Sequence, residues 1–197
     1  MMETVKTRHS VMIEVVWIRS GVGREVALIL GGSFLLAISA QLQFMLPFSP
    51  VPITGQTFAV LLLGALYGSK RGMATVVSYI SLGVIGLPIF AGGGLGFSRL
   101  VGPTAGYLVG FLGAAFVTGL LSERGWDRRH WTTAASMIIG NGIIYMAGVL
   151  WLSKFVGWQA VFITGFLPFL AGDALKIALA TFLLPAGWKW IGQTGQR

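Results

Sequence analysis

The chain has no cysteine, only six acidic residues and only two histidines among its 197 residues. Without Cys there is neither a disulfide framework nor a thiolate-held metal. His9 and His130 show no metal-ligand spacing, so no metal site is expected. Charged residues make up 10% of the chain, against about 25% in ordinary globular domains, which excludes a water-soluble enzyme. The 29 glycines follow no three-residue period, which excludes a collagen-like chain. Apolar and polar residues do not alternate as a transmembrane barrel requires.

What is present is long apolar runs, with a mean hydropathy of +0.80. A hydrocarbon core about 30 Å thick needs roughly 20 apolar residues as helix. Six candidate spans meet or approach that length: 26–45, 53–69, 72–90, 100–121, 131–153 and a last one ending near Trp188. Lys70 and Arg71, Arg99, the cluster at 123–129 and Lys154 mark most of the breaks. Pro47, Pro50 and Pro52 mark the first, because proline removes a backbone donor and stops a helix. Pro168 suits a first helical turn better than an interior. It therefore starts the sixth helix and leaves 155–167 as a partly helical outer segment. The fold expected is an all-α membrane protein, six transmembrane helices in one bundle. Residues 1–25 form an N-terminal cytoplasmic or interfacial segment, 26–188 the membrane domain and 189–197 a cytoplasmic tail. The apolar stretch 11–18 is broken by Glu14 and lacks a small-residue cleavage site, so it is not read as a secretory signal.

The basic residues set the orientation. With the N-terminus inside, Lys6, Arg8, Arg19, Arg24, Lys70, Arg71, Arg124, Arg128, Arg129, Lys189 and Arg197 lie on the inner side, and only Arg99 and Lys154 on the outer. The positive-inside rule then places both termini in the cytoplasm of a plasma or inner membrane. The net charge of +8 reports topology and gives no reason to expect nucleic acid as a partner.

Asp173 is the single carboxylate within a span, and Lys176 the single cation well inside one. Three residues apart, they share a helix face. Each costs about 2.5–3.5 kcal/mol at a helix centre, and such residues generally face the bundle interior. Two readings are open: a self-neutralising pair that holds the bundle together, or a ligand site. Arg99 lies in an outer loop where a cation is disfavoured, and its planar fork suits a carboxylate. The glycines ahead of it, including Gly92 and Gly93, allow a flexible lid and close backbone approach to a ligand. Thr54, Gln56 and Thr57 follow the proline-rich loop and offer neutral hydrogen-bonding groups, although Thr54 as a helix cap explains part of this. Asn141, the only Asn, sits mid-helix five, where it bonds internally or to a ligand.

Gly102, Gly106, Gly110 and Ala114 recur every fourth position on helix four, a close-packing stripe. Ala27 and Gly31 give the same spacing on helix one, for an internal contact or for docking another membrane subunit. No nucleophile, base and orienter stand together, so no catalytic residues are expected. The run 64–70 lacks phosphate-loop spacing, and any ATP-driven step must come from another chain.

Four motifs in order carry a resemblance: Val51-Pro52-Ile53-Thr54-Gly55-Gln56-Thr57; the run from Gly83 through Gly86-Leu87-Pro88 to Gly92-Gly93; Gly102-Pro103-Thr104-Ala105-Gly106-Tyr107-Leu108; and Gly172-Asp173-Ala174-Leu175-Lys176. Together they resemble the BioY family, the biotin-binding S components of energy-coupling factor (ECF) transporters, from about Val26 to Leu184. Ala105 departs from the Gly common in that family. The resemblance implies six helices, biotin bound from outside, and partnership with a transmembrane coupling subunit and two ABC ATPases, with no cofactor. It also implies that Asp173 and Lys176 are pocket residues and Arg99 a candidate for the biotin carboxylate. In that reading Asp173 accepts the ureido N–H groups, Arg99 or Lys176 pairs the tail, and Tyr107 supplies a wall. The alternatives are an S component for another vitamin, such as riboflavin or thiamine, and a small multipass membrane enzyme.

Overall fold

The computed structural model describes residues 10–17 and 21–194, the last three by backbone alone. His9, Lys6, Arg8, Arg19 and Arg197 lie outside the described residues. The chain runs α1 (Met12–Val16), α2 (Val22–Gln41), β1 (Gln43–Phe44), β2 (Ile53–Thr54), α3 (Gln56–Tyr67), α4 (Ser69–Ile85), a 3-10 turn at Ala91–Gly93, α5 (Ser98–Val101), α6 (Ala105–Ser122), a second 3-10 turn at Trp126–Arg128, α7 (His130–Val156), α8 (Trp158–Gly165) and α9 (Leu167–Thr194). The helical expectation stands with one addition. β1 and β2 pair antiparallel, Gln43 opposite Thr54 and Phe44 opposite Ile53, so the first candidate span ends as helix at Gln41 rather than at 45.

Among the described residues, four stretches are long and apolar enough to cross a membrane by themselves: Val22–Gln41, Ala105–Ser122, His130–Val156 and Trp158–Ile191, the last containing α8 and most of α9. The second and third candidate spans form shorter helices. α3 has 12 residues and α4 has 17, about 18 and 26 Å at 1.5 Å per residue. Gly68 separates them with φ +84°, a left-handed conformation that side-chain-bearing residues rarely adopt. The expected break before Pro168 is present, since Phe166 leaves helical geometry and α9 opens with Leu167-Pro168. The segment ahead of it is more regular than expected, because 158–165 is a helix of its own. α9 then continues through Pro185 to Thr194, past Trp188, into the stretch assigned to a tail. Pro185 has no N–H for the Thr181 carbonyl. His130 Nδ1 lies 2.8 Å from that oxygen and fills the role, so Nδ1 carries the proton.

α6 is the central helix, packed against α7, α3 and α4. Its small residues set these distances. A Cβ on Gly106 would run into Trp151 and the Ala147 carbonyl, and one on Gly110 would meet the Ile144 backbone. Gly102 does not belong to this stripe, because α6 starts at Ala105. The residue before a proline is driven from helical to extended backbone, and Gly102, before Pro103, has φ −80° and ψ 178°. At the end of the bundle away from the loop 86–97, Arg71 pairs with Glu14 at 2.9 Å and Glu25 at 2.6 Å. Arg24 donates to the Ile13 carbonyl at 2.9 Å. These bonds tie α1 and α2 to α4.

Candidate ligand-binding site

The opposite end of the bundle encloses a cavity of about 300 Å³, the lower range for small-molecule pockets. Its walls come from the proline loop, the glycine loop and the facing ends of α3, α4, α6, α7 and α9. Tyr79, Phe90, Tyr107, Phe111, Tyr145 and Phe169 form an aromatic lining. The rings support one another. Tyr79 meets Phe90 edge to face at 5.5 Å, and Tyr145 meets Phe166 likewise at 4.9 Å. Tyr107 turns its hydroxyl away to donate to the Gly165 carbonyl at 2.6 Å. It closes a wall against the α8–α9 junction, where a buried phenol needs such a partner. Gly148 lacks the Cβ that would collide with the Tyr107 ring.

Six residues expected at the site border this cavity: Thr54, Gln56, Gly92, Arg99, Tyr107 and Lys176. Asp173, Asn141 and Gly93 do not. Asp173 is buried behind Lys176, and its oxygens accept from Thr57 Oγ1 at 3.1 Å, from Lys176 Nζ at 2.7 Å and from the Tyr145 hydroxyl. Three protein donors thus hold the carboxylate in place. Lys176 also donates to the Thr54 carbonyl at 2.9 Å and Thr57 Oγ1 at 2.8 Å, which accounts for all three ammonium hydrogens. Asn141 is buried, with Oδ1 unpaired among the described residues. It sits one turn below Tyr145 and outside the cavity wall. Thr54 Oγ1 accepts the Gln56 N–H at 3.3 Å, although Gly55 is the helix cap.

Arg99 stands differently. Its guanidinium has no hydrogen bond or ion pair among the described residues, and it lies on the backbone of Gly94, where a Cβ would collide with it. The cavity thus holds one cation consumed internally and one with donors to spare.

The glycine loop is folded rather than slack. Gly92 and Gly93 both have φ +68°. Gln41 clamps the turn, Oε1 accepting from Gly93 N at 3.1 Å and Nε2 donating to the Phe90 carbonyl at 3.2 Å.

The profile of the BioY family matches residues 7–193. The chain belongs to the BioY family. Similar BioY proteins include the biotin transporter BioY of Thermotoga maritima, 40% identical over 79% of this chain and 92% of that one. The probable biotin transporter BioY of Pyrococcus horikoshii is 36% identical over 81% and 93%. A crystal structure of the S-component for biotin from an ECF-type ABC transporter superposes with a TM-score of 0.73 at 25% identity, covering 87% of this chain and 95% of that one. With these relatives and its apolar helices, this BioY chain is an integral membrane protein.

Sequence reasoning missed Tyr79 and Tyr145 in the BioY cavity. The chain has four tyrosines, and three of them line it. A phenol in mid-span needs a partner away from lipid, and that requirement is the signal that would have found them.

Proposed function

We propose that the chain is the biotin-binding S component of an ECF-type ABC transporter, a transport protein rather than an enzyme. The observation that carries this reading is the cavity, which joins aromatic walls to a free guanidinium in a BioY fold. Biotin offers a ureido ring with two donors and one acceptor, a thioether ring and an anionic tail. Aromatic walls suit the fused rings, and Arg99 suits the carboxylate, since a bidentate guanidinium pair is among the stronger charge-assisted contacts. Lys176, with its hydrogens already committed, supplies fixed positive charge above Asp173.

In this reading six helices, α2, α3, α4, α6, α7 and α9, cross a plasma or inner membrane. The cavity faces outward, and the Arg71 end and both termini face the cytoplasm. The excess of inner Lys and Arg supports that orientation. A transmembrane coupling subunit and two ABC ATPases supply the energy. Ala27 and Gly31 are exposed on α2, and a Cβ on Gly31 would meet nothing within 4 Å. They offer the coupling subunit a smooth strip for close helix contact.

Isothermal calorimetry on the purified chain in mild detergent tests the reading against biotin, riboflavin and thiamine. Saturable binding of biotin alone at micromolar or lower concentration is expected. Silence with biotin, or tighter binding of another vitamin, overturns it.

A further inference from the structure

One side chain in the cavity has its chemistry fixed from a distance. Gln56 is 5% exposed and borders the cavity. Its Nε2 donates to the Tyr79 hydroxyl at 2.8 Å. Tyr79 is fully buried, and its single O–H proton goes to the Ile89 carbonyl at 3.1 Å. A carbonyl only accepts, so Tyr79 must donate there and can only accept from Gln56. That rule settles the Gln56 amide, whose two ends are interchangeable on shape alone. Nε2 points to Tyr79 and Oε1 points the other way. Among the described residues no protein donor reaches Oε1, and it is not enclosed by protein. The cavity border therefore carries an amide oxygen that no protein donor takes up among the described residues.

We propose that Gln56 is a specificity-determining residue that accepts a ring N–H of the ligand, and that Tyr79 is the positioning residue that fixes its amide. This rests on the biotin reading and deepens it, since the ligand chemistry selected is a cyclic urea N–H. Without the Tyr79 hydroxyl the amide is free to turn over, and in half of its orientations it presents a donor to a donor. The relay also joins the site to the loop beside it. Ile89 precedes Phe90, a cavity wall whose ring packs on Tyr79, and Gln41 Nε2 also reaches the Ile89 carbonyl at 3.4 Å.

The test is calorimetry on the full chain with biotin and with its two cyclic carbamate analogues, in each of which one ring N–H is replaced by oxygen. The wild type should disfavour one carbamate by tenfold or more, because a site built around a hydrogen bond rejects the analogue lacking it. Gln56→Leu should weaken biotin by about tenfold and erase that discrimination. Tyr79→Phe, which keeps the ring against Phe90, should narrow the discrimination, and Tyr79→Phe with Gln56→Leu should be no worse than Gln56→Leu alone. A merely structural role for Tyr79 would weaken biotin and the carbamates equally and leave their ratio unchanged. That outcome, or undiminished discrimination in Gln56→Leu, overturns the proposal while leaving biotin binding intact. If Gln56→Leu does not fold, the Tyr79→Phe ratio decides alone. No biotin binding by the wild type overturns the parent reading and this one together.

Discussion

Lys176 has three hydrogens to give, and Thr54, Thr57 and Asp173 take all three. Removing Asp173 therefore strands a largely buried ammonium and leaves the Tyr145 hydroxyl without its acceptor. Breaking one side of a buried pair costs about 3–5 kcal/mol, with the lower figure apt here because the Lys176 side chain is 19% exposed. Asp173→Ala should lower the thermal midpoint in detergent and abolish biotin binding by calorimetry, whereas Lys70→Ala, on an exposed residue, should leave both intact. Unchanged affinity in Asp173→Ala would show that the network does not shape the cavity. A subtler change is Gly94→Ala. Gly94 has φ −63° and ψ 150°, which any residue adopts, so stability should move by less than about 0.5 kcal/mol. The methyl would still push the Arg99 guanidinium aside, and biotin should bind about tenfold more weakly. At this scale the sequence singled out Asp173, Lys176 and Arg99 but not what each of them contacts. An Asp and a Lys within a span stand out by cost alone. That Asp173 faces Thr57 and Tyr145 rather than the cavity depends on partners 116 and 28 positions away, which no local spacing reveals.

Helix contacts in this bundle depend on missing side chains. Gly106 and Gly110 let α6 lie against α7, and a larger residue there meets Trp151, Ala147 and the Ile144 backbone. Overpacking of this kind costs typically 1–3 kcal/mol, so Gly106→Val should lower the thermal midpoint and loosen the cavity wall near Tyr107. An unchanged midpoint would mean that the helices can separate at little cost. Gly31 should behave oppositely. Gly31→Leu meets open space on α2, so biotin binding should persist while co-purification with the coupling subunit and cellular uptake are lost. The small-residue spacing of both stripes was legible in the sequence. The removal of Gly102 from one of them follows from Pro103, whose effect on the preceding residue outweighs the four-residue repeat. Apolar length read well for α2, α6, α7 and the last run, but it overestimated α3, bounded by the β1–β2 ribbon and Gly68, and α4, which ends at its Gly86 cap ahead of Pro88.

For the molecule as a whole, the absence of cysteine gives a clean test of orientation. A membrane-impermeant maleimide applied to intact cells should label Lys154→Cys and spare Lys70→Cys, with the reverse pattern contradicting the proposed topology. Charge scarcity is what suggests that topology, since the few cations must either mark a side of the membrane or serve the site. The division of labour between the two site cations required the structure, because only the hydrogen-bond inventory separates a committed Lys176 from an available Arg99. The central claim is that this cavity binds biotin, with Arg99 on its carboxylate. Calorimetric titration of the wild type and Arg99→Gln with biotin and with biotin amide tests it most directly. The wild type should prefer biotin by about tenfold or more, as expected for a charge-assisted pair, and Arg99→Gln should bind both forms equally and weakly. Absence of biotin binding in the wild type, or an unaltered preference in Arg99→Gln, would contradict the account.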